Sequence, residues 1–138
     1  MASIEKIIEI NATPEDVFEV ICRIDDFPKY TNLIKDVKEI EAGKFRWVAK
    51  FGSLEFKWDS IITELIEGKR VAWASISGIK NSGSFNLEPT EKGTKLTFLM
   101  EYHFHGGVVE DLVDYMSSYW LEKISSDIIN RVKKNLEG

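Results

Sequence analysis

The chain of 138 residues is predicted to form one domain over residues 1–138, because compact domains are commonly about 100–150 residues long. Its 43% hydrophobic and 30% charged residues exclude a disordered or coiled-coil chain. The net charge of -5, with only short cationic groups flanked by acids, argues against a nucleic-acid partner.

The amino-terminal residues 1–10 carry acids, and no apolar run in the sequence approaches the length of a membrane span. These features predict a cytoplasmic protein without stable membrane insertion. The single cysteine, Cys22, cannot form an internal disulfide and lies in an apolar stretch. We therefore expect it to be a buried free thiol.

The first predicted elements are a strand and two short helices. Apolar and polar residues alternate over residues 4–10, as they do in a strand. Thr13 then supplies a helix cap before Pro14 at the first helical position. A helix is therefore predicted to begin at Pro14. The segment Phe27-Pro28 interrupts the helical period and indicates a second short helix or turn.

Residues 34–105 are predicted to form a meander of about six strands, since turn signals separate short alternating segments. In the segment 44–51 the aromatic residues fall on one face and the cations on the other. Segments 54–59 and 95–105 divide in the same way, which predicts a sheet with one apolar and one solvated face. In residues 61–66 apolar residues occupy both faces of the predicted strand. Two explanations fit this pattern: a bulge in the strand, or an interface on its outer face.

A long helix is predicted after Gly106-Gly107, because apolar residues recur at helical spacing from Val109 to Leu136. About 29 residues at about 1.5 Å each give a helix of roughly 43 Å. Strands of comparable length must twist and coil. A sheet curled around this helix is the expected architecture, in the α+β class.

The predicted order of elements is β-α-α-β6-α, with the segments 10–18 (INATPEDVF) and 25–30 (DDFPKY) at its start and the segments 71–75 (VAWAS) and 83–85 (GSF) in its central strands. This order and these segments resemble the helix-grip fold of the START-like superfamily, in particular its polyketide cyclase/dehydrase and coenzyme Q-binding (lipid transport) branch. These motifs consist of caps, turns and core aromatics, so they point to the fold more than to a particular chemistry.

The resemblance implies a cavity between the sheet and the long helix. The apolar face of the sheet would line this cavity, and an apolar lining suits a hydrophobic ligand. The alternative is that the same residues simply fill the core. The residues predicted to bind the ligand are Trp47, Phe51, Phe56, Trp58, Trp73, Phe98, Met100, Tyr102, Met116 and Trp120. Polar groups expected on this face are Ser60, Ser75, Ser77 and the hydroxyl of Tyr102.

The sequence favours no metal and no cofactor. His103 and His105 fall on the face opposite Tyr102, and no further His or Cys completes a metal-binding set with them. No glycine-rich segment precedes a helix start, as a phosphate-binding loop would require. If the protein is an enzyme, Tyr102 is the residue expected to donate a proton.

Three functions follow from this pattern. The first is binding or transport of a small hydrophobic ligand, such as a lipid, an isoprenoid or quinone, or a polyketide-like molecule, without chemical change. The second is a polyketide cyclase or dehydratase that uses Tyr102. The third is an interaction module, in which outward Ile61, Leu65 and Ile79 form a protein contact or a homodimer edge.

Overall fold

A computed structural model describes residues 2–103 and 110–138 of the chain, without the side chains of residues 2, 51, 54, 103 and 110–118. Over these described residues, seven antiparallel strands form one curved sheet, and a long carboxy-terminal helix packs against its inner face. The elements in chain order are β1 (Ala2–Ile10), α1 (Pro14–Ile21), a 3-10 helix (Ile24–Lys29), β2 (Ile34–Glu41), β3 (Lys44–Phe51), β4 (Leu54–Ile66), β5 (Arg70–Gly78), β6 (Lys80–Pro89), β7 (Thr94–His103) and α2 (Glu110–Glu137).

The start of α1 follows from the residues around Pro14. The Thr13 side chain accepts a hydrogen bond from the backbone N–H of Asp16 at 3.2 Å, which satisfies one of the free N–H groups of the first turn. Val17 and Ile21 lie one turn apart and are fully buried. The short element that follows is a 3-10 helix, and it buries Ile24 and Phe27.

The strand order is β1-β7-β6-β5-β4-β3-β2, so β1 and β2 lie at the two ends of the sheet. The register places Met100 of β7 between Ile4 of β1 and Gly83 of β6, and Gly83 opposite Trp73 of β5. Because side chains alternate between faces, each such row consists of residues that face the same side. The inner rows supply most of the core.

Strand β4 contains the irregularities that obscured its pattern in the sequence. The pairing with β5 shifts between Asp59 and Ser60 and again between Ile62 and Glu64. A bulge changes which residues point inward. The expectation that Ser77 faces the interior is wrong, because Ser77 is exposed and paired with Asp59 on the outer face.

Gly83 allows β6 to pass directly beneath an indole ring. A Cβ atom at this position would lie 2.4 Å from Cζ2 of Trp73 and 2.9 Å from the carbonyl oxygen of Leu99. Both distances are shorter than real Cβ contacts. The glycine is therefore needed for close packing of Trp73 against the sheet.

Helix α2 presents a buried stripe to the sheet from its middle to its end: Trp120, Leu121, Ile124, Ser125, Ile128, Ile129 and Val132. Polar contacts fix the helix at several points. Glu122 pairs with Lys6 of β1, and Asp127 accepts a hydrogen bond of 2.8 Å from the Thr31 hydroxyl. The helix is thus anchored both to β1 and to the segment that follows the 3-10 helix.

Candidate functional site

The candidate site is the aromatic inner face of the sheet together with the part of α2 that lies over it. Seven of the ten residues predicted to bind a ligand are buried in the core: Trp47, Trp58, Trp73, Phe98, Met100, Tyr102 and Trp120. Phe56 is half-buried and packs against them. The side chains of Phe51 and Met116 lie outside the described part of the chain, as do those of His103 and His105.

Four rings form a continuous row from the sheet to the helix. Trp47 of β3 stacks on Trp58 of β4, with ring centroids 5.6 Å apart and planes 11° apart. Tyr102 of β7 meets Trp58 edge to face at 5.5 Å and meets Trp120 of α2 edge to face at 4.6 Å. We call these four residues the aromatic row. Offset stacking and edge-to-face contacts are favourable ring geometries, so the row holds each ring in a defined orientation.

A second cluster of rings lies beside the aromatic row on the same face. Phe85 stacks on Phe98 with centroids 4.8 Å apart, and Trp73 lies 5.5 Å from Phe85. Phe27 of the 3-10 helix joins the two groups, because its ring lies 5.8 Å from Trp47 and 6.1 Å from Phe85.

Sequence reasoning did not assign Phe27 or Phe85 to the site. Phe27 lies in the interrupted segment after α1, where a 3-10 helix has no long apolar period that would show which way it points. The only local signal is the Phe-Pro pair. Phe85 shares the inner phase of β6 with Leu87, and that alternation could have identified it.

Most polar atoms near the rings have protein partners. The indole N–H of Trp47 donates to Oγ of Ser60 at 2.9 Å, and that of Trp120 donates to the carbonyl oxygen of Lys50 at 3.1 Å. Ser75 accepts a hydrogen bond of 3.0 Å from the backbone N–H of Asn81. The indole N–H of Trp58, by contrast, is buried and has no hydrogen-bond partner among the residues described.

Tyr102 is fully enclosed, and burial raises its pKa well above the ordinary value of a tyrosine. The cause is desolvation, because the phenolate would lose its hydration in this apolar surrounding. The phenol is therefore a weaker acid than a tyrosine in water. A general acid works best when its pKa lies near the working pH, so this shift counts against proton donation by Tyr102.

The raised pKa of Tyr102 makes stability depend on pH in the alkaline range. The group stays protonated in the folded protein above pH about 10, where the unfolded chain releases the proton. The stability present below that pH is therefore lost as the pH rises. We expect the wild type to lose about 1.4 kcal/mol per pH unit relative to Tyr102→Phe above pH about 10. Urea unfolding of both proteins from pH 8 to 11 measures this, and parallel curves would contradict it.

In the described residues, no group of three or more His, Cys, Asp or Glu side chains could hold a metal ion. Cys22 is half-buried, less than the sequence suggested, and burial raises the pKa of its thiol. A raised pKa lowers the thiolate fraction and hence the reactivity of a cysteine.

A family described as polyketide cyclase / dehydrase and lipid transport matches residues 1–137. The chain belongs to this family. The predicted START-like relationship is therefore confirmed. A curated relative is an uncharacterized 17.2 kDa protein of Streptomyces lincolnensis, from the intergenic region between melC2 and rnhH. It is 22% identical over 99% of this chain and 91% of its own length.

Two solved structures of other proteins have the same fold. The Zhui aromatase/cyclase of Streptomyces sp. R1128 aligns with a TM-score of 0.82 over 99% of this chain and 93% of its own, at 16% identity. A START superfamily protein of Mycobacterium smegmatis aligns with a TM-score of 0.76 over 96% of this chain and 97% of its own, at 15% identity. At these identities the likeness concerns the fold alone.

The outer face of the sheet in this polyketide cyclase/dehydrase family member carries a groove of about 470 Å³. Small residues of β5 and β6 form its floor, and Glu5, Arg70 and Glu101 lie along it. Arg70 is engaged by Glu64, with 3.1 Å between Nε and Oε2. This polar groove lies on the opposite side of the sheet from the aromatic row, and it differs in chemistry from the predicted cavity.

Two of the three residues proposed for a protein contact are exposed. Leu65 is 62% exposed and Ile61 is 37% exposed, whereas Ile79 is half-buried and packs against the core. The prediction that Ile79 faces outward is therefore wrong. In the described part of the chain, no helix combines the length and apolar character needed to cross a membrane.

Proposed function

We propose that this protein binds a small hydrophobic ligand between the inner face of the sheet and α2. The observation that carries the proposal is the continuity of the aromatic inner face. Rings from β3, β4, β7 and α2 contact one another in the aromatic row, and Phe27 connects them to the rings of β5 and β6. The family description, which includes lipid transport, supports the same function.

The binding mechanism is desolvation of apolar surface. Burial of about 500 Å² of ligand surface at about 25 cal/mol per Å² gives a gross gain of about 12.5 kcal/mol. Association itself costs at least about 4 kcal/mol, which leaves at most about 8.5 kcal/mol, a dissociation constant of about 1 μM. Such an affinity suits a carrier that must release its ligand.

Native mass spectrometry of the freshly purified protein, followed by solvent extraction, tests the proposal. We expect a stoichiometric adduct whose mass reappears in the organic extract. A protein that carries no adduct and shows no saturable binding of a fluorescent hydrophobe would contradict the proposal.

A matched variant separates interior binding from adhesion to the surface. Ile7 and Leu65 are the two most exposed large aliphatic side chains among the described residues. The double variant Ile7→Ser, Leu65→Ser removes both from the surface and leaves the inner face intact. The adduct should persist in this variant, and its loss would place the hydrophobe on the outside of the protein.

A cyclase or dehydratase remains the second candidate because one structural relative is named an aromatase/cyclase. Tyr102 is its sequence-based proton donor, but burial raises the pKa of this residue and makes it a poor acid. Among the described residues the inner face offers no carboxylate in its place, since Asp127 and Glu122 are paired at the edges of α2. Ligand binding without chemical change is therefore the function we favour.

A further inference from the structure

We propose that the indole N–H of Trp58 is the hydrogen-bond donor that orients the ligand, and that the ligand carries a neutral acceptor oxygen at the end that meets the aromatic row. Ketones, quinones, esters and ethers have such an oxygen, whereas pure hydrocarbons do not. This inference rests on the proposed function and deepens it by naming a chemical class.

The contrast among the indoles of the aromatic row is the starting observation. Trp47 and Trp120 each donate to an oxygen atom of the protein, at 2.9 Å and 3.1 Å. Trp58 is only 3% exposed, yet its Nε1 has no hydrogen-bond partner among the described residues. A buried N–H that lacks an acceptor costs free energy, and most buried polar groups of native proteins have a partner.

The neighbouring rings prevent Trp58 from turning to find an acceptor elsewhere. Trp47 lies nearly parallel to it, and Tyr102 packs against it at 83°. Tyr102 is in turn held by Trp120. The donor is thus fixed in place before a ligand arrives, and a preorganised group loses little entropy on binding.

The surroundings of Trp58 define the charge of the acceptor. Among the described residues, the buried polar side chains are all uncharged. An ionised carboxylate or phosphate would therefore lose its hydration there without a compensating cation. A neutral carbonyl or ether oxygen accepts one hydrogen bond and is cheaper to desolvate.

Two pairs of probes that differ only at the acceptor test the inference: 9-fluorenone with fluorene, and benzophenone with diphenylmethane. In each pair a carbonyl group replaces a methylene group and the rings stay the same. We expect the wild type to bind each ketone about fivefold more tightly than its hydrocarbon, as one net hydrogen bond provides. Titration followed by tryptophan fluorescence or calorimetry gives the ratio.

Replacement of Trp58 by 3-benzothienylalanine removes the N–H and keeps the shape of the ring. The preference for the ketones should then fall to about one. The same replacement at Trp47 removes an N–H that already donates to Ser60. In this Trp47 variant the affinities for ketone and for hydrocarbon should change by the same factor, so that the preference for the ketone is retained.

A spectroscopic measurement tests the inference on the wild-type protein itself, and a variant is needed only to assign the resonance. The indole ¹H–¹⁵N resonance of Trp58, assigned with Trp58→Phe, should move downfield with 9-fluorenone and much less with fluorene.

Equal binding of ketone and hydrocarbon, an unchanged preference in the Trp58 analogue, or an unmoved Trp58 resonance would each overturn the inference and leave the proposed function standing. An N–H that points at the ring face of Tyr102 would give these results. Failure of all four probes to bind would overturn the proposed function, and the inference with it.

Discussion

Trp120→Ala should lower the free energy of unfolding by about 3–5 kcal/mol, the range for truncation of a buried tryptophan. Trp120 is 1% exposed and ends the aromatic row, with its ring centroid 4.6 Å from that of Tyr102. Its indole N–H also bonds the carbonyl oxygen of Lys50. The substitution therefore removes both an apolar contact and a polar link between α2 and β3.

Urea unfolding measures this loss of stability. One further variant separates the contribution of the ring from that of the N–H, and another serves as a surface control. Trp120→Phe keeps an aromatic ring but removes the N–H, so we expect an intermediate loss of about 1–3 kcal/mol. Asn130→Ala truncates an exposed residue of the same helix and should change the stability by less than about 0.5 kcal/mol. Equal losses for Trp120→Ala and Asn130→Ala would show that α2 is not anchored through Trp120.

Phe27→Ala should be similarly destabilising, by about 3–5 kcal/mol, although the residue lies in a 3-10 helix of only 6 residues. Phe27 is 2% exposed and contacts one ring of β3, one ring of β6 and the ring of Tyr30, which directly follows the 3-10 helix. Its ring lies 5.7 Å from Tyr30, 5.8 Å from Trp47 and 6.1 Å from Phe85. Truncation would leave a cavity at the point where the aromatic row meets the second cluster.

The control for Phe27→Ala is taken from the same short helix. The side chain of Lys29 is 74% exposed and lies 3.2 Å from Asp26 in a surface ion pair. Lys29→Ala should change stability by no more than about 0.5 kcal/mol, because exposed ion pairs contribute little. A loss for Phe27→Ala no larger than that for Lys29→Ala would mean that the 3-10 helix does not complete the core.

Strand periodicity predicted the inner face of β3 and β7 well. Trp47, Phe98 and Met100 are buried as the alternation required, because both strands run without a bulge over these residues. The same reasoning failed at Ser77. There β4 and β5 shift register, and a shift of one residue exchanges the two faces of a strand.

For the candidate site, too, the sequence predicted one part correctly and could not predict another. Sequence spacing selected Trp58 and Tyr102 as inner-face residues, and both are buried. Spacing could not reveal that Trp47 would use its indole N–H on Ser60 while Trp58 would have no such partner. These hydrogen bonds depend on the rotamers of the rings and on the pairing of β3 with β4. The alternation of residues within one strand determines neither of them.

The sequence by itself determined the α+β class, the long carboxy-terminal helix, the one-sided apolar sheet and the family resemblance. These features follow from local caps, turns and periodicities, each of which spans only a few residues. Tertiary structure alone decided that Phe27 joins two ring clusters, that Gly83 makes room for Trp73, and that the N–H of Trp58 is left without a partner among the described residues. Each of these results depends on contacts between residues far apart in the chain, whose geometry is set only when the sheet curls and packs against α2.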